Sequence, residues 1–214
     1  MRRATLTQSA VEVQRRSQQS VLGSDARPAQ YDRHQSGVLE QLFSRCFFAD
    51  YQTRLCGGAA EPLYQPATAG AAAVIYYRHD YFRSALHEVA HWCVAGDERR
   101  LREDYGYWYE PDGRNAEQQA TFLQLEVLPQ ALERLFCLAA DHPFAVSVDN
   151  LQGEAGDVQG FARAVAARAA GLWPQRINPR ARCWLEALSW HFRDQDFARV
   201  MMSTEGVVLL QTLD

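Results

Sequence analysis

The sequence lacks the features that would place it in a membrane, in a secretory pathway or on nucleic acid. No apolar run reaches the length of a membrane span, and no apolar h-region follows the Met1-Arg2-Arg3 start. The formal net charge of −4 gives no overall attraction to nucleic acid or to an anionic membrane surface. We therefore expect a cytoplasmic protein with no signal peptide, no membrane partner and no direct nucleic-acid partner.

Paired-cysteine motifs are also missing. The five cysteines are scattered along the chain, their number is odd, and no two of them form a C-x-x-C pair. This arrangement argues against a structural zinc knuckle and is typical of reduced thiols in the cytoplasm. The chain also has no internal repeats and no low-complexity segment in its core.

Composition and hydrophobic spacing predict one helix-rich α+β domain with a small sheet. Apolar residues make up 47% of the 214 residues, enough for one domain with a full core. Residues 1–34 are rich in Gln, Ser and Arg and are expected to form a loosely ordered N-terminal extension before a single domain at 35–214. The expected helices cover residues 38–47, 81–95, 115–128, 130–140, 158–171 and 180–200, with strands at 74–77 and 145–148 and a loop at 57–73.

The segment His87-Glu88-Val89-Ala90-His91 is an H-E-x-x-H motif on the predicted helix 81–95. Residues four apart lie on the same face of an α-helix, so the imidazoles of His87 and His91 can bind one metal ion. Glu88 is rotated from His87 by about 100°. It can reach an open position of the ion or a bound water, or support a ligand. Apolar neighbours such as Leu86 and Val89 are expected to pack inward, which places this metal-binding helix in the core.

Two histidines leave a metal site incomplete, and Glu126 is the best candidate for a third ligand. It lies in the apolar stretch 122–128, where an unpaired carboxylate is costly. A salt bridge or a solvated helix edge is the alternative role for Glu126. The weaker candidates lie in polar surroundings, in turns or at the ends of elements: Glu117, Glu133, Asp112, Asp141 and His79.

Three kinds of site are compatible with these residues. With zinc, the set forms a hydrolase in which Glu88 takes a proton from the metal-bound water, and this is the default from the motif alone. With ferrous iron, the same set is the 2-His-1-carboxylate triad of oxygen-activating enzymes. A binding module with a purely structural metal is the third possibility. The spacing of the ligands does not separate these alternatives.

Several blocks of the sequence, in order along the chain, resemble the elongation factor P hydroxylase family. The similarity covers about residues 38–190. The blocks are residues 48–50, 53–55, 61–64, 85–96, Tyr105-Gly106-Tyr107-Trp108-Tyr109 with Pro111-Asp112-Gly113-Arg114, Glu126-Val127 followed by Pro129-Gln130-Ala131, and then residues 135–137, 143–144 and 149–151.

This resemblance implies an Fe(II)-dependent monooxygenase that uses molecular oxygen to hydroxylate the β-lysylated lysine of translation elongation factor P. Carried onto this chain, the metal set becomes His87, His91 and, by block position, Glu126. Glu88 becomes a supporting or proton-handling residue, and residues 35–214 become the catalytic domain. Zinc or another divalent ion is able to replace iron in a purified sample, because it competes well for such ligands.

A hydroxylase of this kind must guide a long cationic side chain to the metal. Aromatic residues that follow the metal helix are expected to line the channel by stacking or cation–π contacts, and two aspartates to pair with the substrate amines. Packing of a strand against the core is the alternative role for the aromatics, and turn or capping duty for the aspartates. The residues concerned are Tyr105, Tyr107, Trp108, Tyr109, Asp112 and Asp149.

A basic cluster, Arg99, Arg100 and Arg102, lies just past the metal helix. It is a candidate to dock an acidic protein substrate. A solvated helix face is the more common role of such a run.

Overall fold

The computed structural model describes residues 33–104, 113–148 and 156–211. The chain divides into two units between Arg33 and His34, and the elements below all lie in the second unit. In chain order they are α1 (Ser36–Tyr51), β1 (Thr53–Ala59), β2 (Leu63–Gln65), β3 (Ala73–Arg78), α2 (Phe82–Val94), a 3-10 turn (Arg99–Leu101), α3 (Ala116–Ala139), α4 (Val158–Leu172), α5 (Pro179–Arg193), α6 (Phe197–Met202) and α7 (Thr204–Gln211). The predicted helix-rich α+β class with a small sheet is confirmed.

The sheet has three strands in the order β1-β3-β2. β3 pairs in parallel with β1 and antiparallel with β2, and its alternate residues Ala73, Ile75 and Tyr77 are buried. The loop predicted over residues 57–73 is wrong in part, because β1 continues to Ala59 and β2 lies within this range. The Gly57-Gly58 pair does not end β1, since the register shifts there as in a β-bulge and pairing resumes at Ala59.

Helix α2 follows β3 after a short turn and carries the H-E-x-x-H segment. One face of α2, which includes Ala85, Leu86, Val89 and Ala90, is fully buried. Its hydrophobic spacing therefore identified both the helix and the side that faces the core. The helices predicted at 38–47 and 158–171 are also confirmed, as α1 and α4.

Helix α3 is one continuous element of 24 residues rather than two helices separated at Pro129. It begins with a capping box in which the Asn115 side chain accepts a hydrogen bond from the backbone N–H of Gln118, and the Gln118 side chain accepts one from the backbone N–H of Asn115. Pro129 removes one helical hydrogen bond, but the helix continues because buried residues on both sides, such as Glu126 and Leu132, pack against the rest of the domain.

Two other expectations differ from the structure. Residues 145–148 do not form a strand, because the backbone of Ser147 pairs with the side chain of Gln130 instead of with another strand. The helix predicted at 180–200 ends at Arg193 and a new helix begins at Phe197. Asp194 between them has a left-handed backbone (φ 53°), and the Asp196 side chain caps the second helix.

The main core is built from α1, α2, α3 and α5, with large buried side chains that include Phe43, Leu86, Leu135 and Trp184. This packing holds α2 against α3 along the face that carries the candidate metal ligands. Among the described residues, no helix is long and apolar enough to cross a membrane.

Candidate metal centre

Helices α2 and α3 bring His87, His91 and Glu126 together. The Nε2 atoms of the two histidines lie 3.0 Å apart. The Glu126 carboxylate lies 3.3 Å from His91 Nε2 and 3.7 Å from His87 Nε2. No other group of three or more potential metal ligands occurs in the described ranges 33–104, 113–148 and 156–211.

The spacing of these three atoms fits a common metal ion. With metal–ligand bonds of about 2.1 Å, two ligand atoms lie about 3.0 Å apart at a right angle and about 3.4 Å apart at a tetrahedral angle. The distances of 3.0, 3.3 and 3.7 Å between the nitrogen and oxygen atoms are close to these values. Two imidazoles and one carboxylate also form a donor set that suits iron and zinc. The residues present therefore fit a mononuclear divalent metal.

An ion-pair chain centred on the buried Glu133 contacts the Nδ1 side of His87. Its Nδ1 atom lies 2.9 Å from Oε2 of Glu133, and Oε1 of Glu133 accepts a hydrogen bond of 2.7 Å from Arg83. Arg83 also donates to the carbonyl of Ala145. A histidine whose Nδ1–H is held by a carboxylate presents its Nε2 lone pair to a metal, which is a recurrent arrangement around metal-bound histidines.

The same contacts set the proton affinity of His87. Burial lowers the pKa of His87, but the hydrogen bond and the charge of Glu133, with the charge of Glu126, outweigh it and raise the pKa to about 10. In the metal-free protein a proton therefore competes for the site that a metal would take.

Glu126 is held in place by a second set of buried contacts. It is 3% exposed, and its Oε2 accepts a long hydrogen bond of 3.4 Å from Gln130, which in turn pairs with the backbone N–H and C=O of Ser147. Burial raises the pKa of Glu126, but the charge and hydrogen bond of His91 and the charge of His87 lower it to about 2. The carboxylate is therefore ionised, which is the form that binds metal.

Sequence reasoning missed the role of Glu133. It was placed among polar surroundings, but it is 1% exposed and contacts His87. The available signal was its spacing, since Glu126, Gln130 and Glu133 follow at intervals of four and three residues and so share one face of α3. Arg83, four residues before His87 on α2, completes the polar seam between the two helices.

The remaining rival ligands that the structure describes are not in the group. Glu117 and His79 are exposed, and Asp141 forms an ion pair of 3.1 Å with Arg193. The expected substrate residues stay predictions, because all of them lie outside the described residues: Tyr105, Tyr107, Trp108, Tyr109, Asp112 and Asp149.

A narrow cavity of about 30 Å³ adjoins the triad. Its apolar wall is formed by Tyr64, Ile75, Trp92 and Ala95, and its polar lining by Glu88, His91, Arg99, Arg100 and Asp104. Arg99 is engaged by the Asp104 carboxylate, and Arg100 donates to Asp97 and to the carbonyl of Ala95. Two of the three arginines in the basic cluster are thus held by local contacts, and Arg102 is exposed.

Glu88 lies on α2 next to the triad and is partly buried. Burial raises its pKa, and the charges of His87 and His91 act in the opposite direction. Its carboxylate has no hydrogen-bond or ion-pair partner within the part of the chain that the structure describes. The carboxylate is therefore available to bind a ligand or to transfer a proton.

Two comparisons with known proteins match most of this chain. A model of the family described as Elongation factor P hydroxylase matches residues 42–201, a range that includes all three residues of the triad. A Haemophilus influenzae protein described as Elongation factor P lysine hydroxylase is 44% identical over 156 residues, which make up 72% of this chain and 88% of the relative. The match extends over most of the folded domain, which confirms the resemblance drawn from the sequence blocks. The chain belongs to the elongation factor P hydroxylase family.

Proposed function

We propose that this protein hydroxylates the β-lysylated lysine of translation elongation factor P at a mononuclear non-haem Fe(II) site held by His87, His91 and Glu126. The observation that carries the proposal is the meeting of two imidazoles and one buried, ionised carboxylate in a member of this family. Such a set would hold Fe(II) and leave coordination positions for oxygen and substrate.

We assign iron rather than zinc to this site because the proposed reaction is a hydroxylation. Where a metal activates the oxygen that enters a C–H bond, that metal must change its oxidation state, and Zn²⁺ has no redox chemistry. The donor set itself accepts either metal. The description of the Haemophilus influenzae relative as a lysine hydroxylase therefore supports iron at this site.

One atom of molecular oxygen enters a C–H bond of the modified lysine to form C–OH, and the other leaves as water after taking up two electrons and two protons from a two-electron reductant. Bound iron supplies the activation of oxygen. The protein holds the metal ligands rigidly: Glu133 accepts the Nδ1–H of His87 and directs its Nε2, and Gln130 donates to Glu126.

The partners follow from this reaction. They are elongation factor P as the protein substrate and molecular oxygen, with neither a nucleic acid nor a membrane bound directly. Because the substrate is a translation factor, we place the protein in the cytoplasm. The exposed Arg102 is the member of the basic cluster that remains available to an acidic substrate surface.

The deciding experiment is the mass of elongation factor P from cells with and without this protein. The modified lysine should lose one oxygen atom in the deletion strain, the wild-type gene should restore it, and a His87→Ala gene should not. An unchanged mass in the deletion strain would refute the proposal.

A zinc hydrolase, a peptidase or nuclease, is the second candidate, and the position of Glu88 favours it. A partly buried carboxylate beside a two-histidine site is where a general base would act on a metal-bound water. Metal analysis after anaerobic purification separates the two. Stoichiometric zinc with hydrolytic activity supports the hydrolase, whereas bound iron with oxygen-dependent activity supports the hydroxylase.

A further inference from the structure

Two cysteines lie where helices α1 and α5 pack together. We propose that Cys46 on α1 and Cys183 on α5 form a redox-responsive dithiol, which a small-molecule disulfide such as glutathione disulfide converts reversibly into a covalent link between the two helices. Neither thiol belongs to the candidate metal centre. The inference therefore goes beyond the proposed function and can be tested without it.

Aromatic contacts fix the register of the two helices at this point. The ring of Trp184, the residue after Cys183, lies 5.8 Å from the ring of Phe43 and 6.2 Å from that of Phe47. Phe43 and Phe47 share one face of α1 with Cys46, which is three residues after the first and next to the second. The Cys46 thiol donates a hydrogen bond to the Cys183 sulfur. A direct thiol–thiol contact between packed helices is the arrangement from which a disulfide forms without a large backbone movement.

The two thiols differ in exposure, and this difference sets the order of their reactions. Cys183 is exposed, whereas Cys46 is partly buried. Burial raises the pKa of the Cys46 thiol to about 12, and the charge and the hydrogen bond of Cys183 act in the same direction. Because the thiolate is the reactive form, Cys183 is the thiol that reacts first with an oxidant from solution.

The oxidation then proceeds by two thiol–disulfide exchanges. The Cys183 thiolate attacks one sulfur of glutathione disulfide, the S–S bond breaks, and one glutathione leaves as its thiolate. With Cys183 held in the mixed disulfide, its negative charge no longer opposes the ionisation of Cys46. Cys46 loses its proton, attacks the Cys183 sulfur and releases the second glutathione. One protein disulfide forms, one glutathione disulfide is reduced to two thiols, and no other oxidant is required.

The link would fasten two helices that enclose the last turns of the metal helix. The Trp92 ring on α2 lies 5.2 Å from the ring of Phe43 and 5.0 Å from that of Phe47, both on α1. From α5, the Arg180 guanidinium lies 4.7 Å from the centre of the same Trp92 ring. A bond between α1 and α5 also closes a long loop of the chain, which restricts the unfolded state and stabilises the folded one.

The test exposes the Fe(II)-loaded protein to glutathione disulfide without oxygen. The reaction is stopped with acid, free thiols are alkylated, and the digested protein is mapped by mass spectrometry. Peptides that contain Cys46 and Cys183 should be joined in most molecules, at a rate independent of protein concentration, and dithiothreitol should separate them. If both thiols remain unlinked, or if Cys183 is joined instead to the buried Cys93, the inference is overturned.

Three variants examine the order of the steps. Cys46→Ser should stop the reaction at a glutathione adduct on Cys183, and Cys183→Ser should leave Cys46 as a free thiol. Cys56→Ser is the matched control, because Cys56 is exposed on β1, and it should form the link as the wild-type protein does. Loss of the link in this control would contradict the assignment of the pair.

Thermal unfolding tests whether the pair is preformed. The oxidised wild-type protein should have a Tm about 5 °C above that of the reduced protein, because the bond constrains the unfolded chain. Cys46→Ser treated in the same way should show no such rise. A lower Tm after oxidation would show that the bond distorts the interface between α1 and α5, and would overturn the inference.

Discussion

The Nδ1 atom of His87 lies 2.9 Å from Oε2 of Glu133, a residue seven positions after Glu126 on the same helix. One helix thus supplies both a candidate metal ligand and the carboxylate that orients another ligand. The Arg83 guanidinium neutralises that carboxylate, which is 1% exposed. A buried charge of this kind is stable because it is paired and hydrogen-bonded.

Replacement of Glu133 by Gln should weaken metal binding about 10- to 100-fold, the usual effect of losing an outer partner of a metal-bound histidine. The variant keeps the size of the side chain but loses the negative charge that favours the Nδ1–H form of His87. Titration of the metal-free protein with Fe(II) under anaerobic conditions measures the change. Glu117→Gln on the same helix is the control, because Glu117 is exposed. The Fe(II) affinity of this control variant should equal that of the wild-type protein. Equal affinity in the Glu133 variant would show that this carboxylate does not tune the site.

Replacement of Glu126 by Gln should abolish tight metal binding and hydroxylation together. The neutral amide is a poor ligand, and its NH₂ group would face the two imidazoles. Metal content after dialysis and the mass of elongation factor P are the two measurements. A variant that still binds one metal per chain and restores the missing oxygen would exclude Glu126 as the third ligand.

Removal of the metal by a chelator should stop hydroxylation but leave the fold intact. The core formed by α1, α2, α3 and α5 is apolar and does not depend on the triad. Far-UV circular dichroism of the chelated protein should therefore keep its helical signal, and activity should return on addition of Fe(II). Unfolding by the chelator would instead identify a structural metal, since metal binding would then supply folding free energy.

Replacement of Gln130 by Ala should destabilise the protein by about 1–3 kcal/mol, because two partly buried hydrogen bonds to the backbone of Ser147 are lost. Gln130 is fully buried, and it also holds Glu126. Denaturant unfolding followed by circular dichroism gives the free energy of unfolding. Gln124→Ala, at an exposed position of the same helix, should change it by less than about 0.5 kcal/mol.

Local signals in the sequence were sufficient to predict helix α2 and to select Glu126 as the candidate third ligand. The period of the apolar residues defined the helix and its buried face. The apolar surroundings of Glu126 indicated that its charge needs a partner. The continuous helix α3 was not predicted. The tendency of Pro129 to end a helix is outweighed by the burial of residues on both sides of it. The bulge at Gly57-Gly58 was missed for a similar reason, since pairing with β3 keeps this glycine-rich stretch extended.

By itself, the sequence determined the family and the helix that carries the two histidines, because ordered blocks and hydrophobic spacing are local signals. It ranked Glu126 above the other carboxylates as the candidate third ligand, without fixing it. The packing of α2 against α3 decided which carboxylates meet those histidines. It brought Glu126 to their Nε2 atoms and Glu133 to the Nδ1 atom of His87, across separations of 35 to 46 residues along the chain. It also left the carboxylate of Glu88 beside a cavity rather than in an ion pair. Such relationships come from the relative rotation and distance of two helices, which local periodicity does not contain.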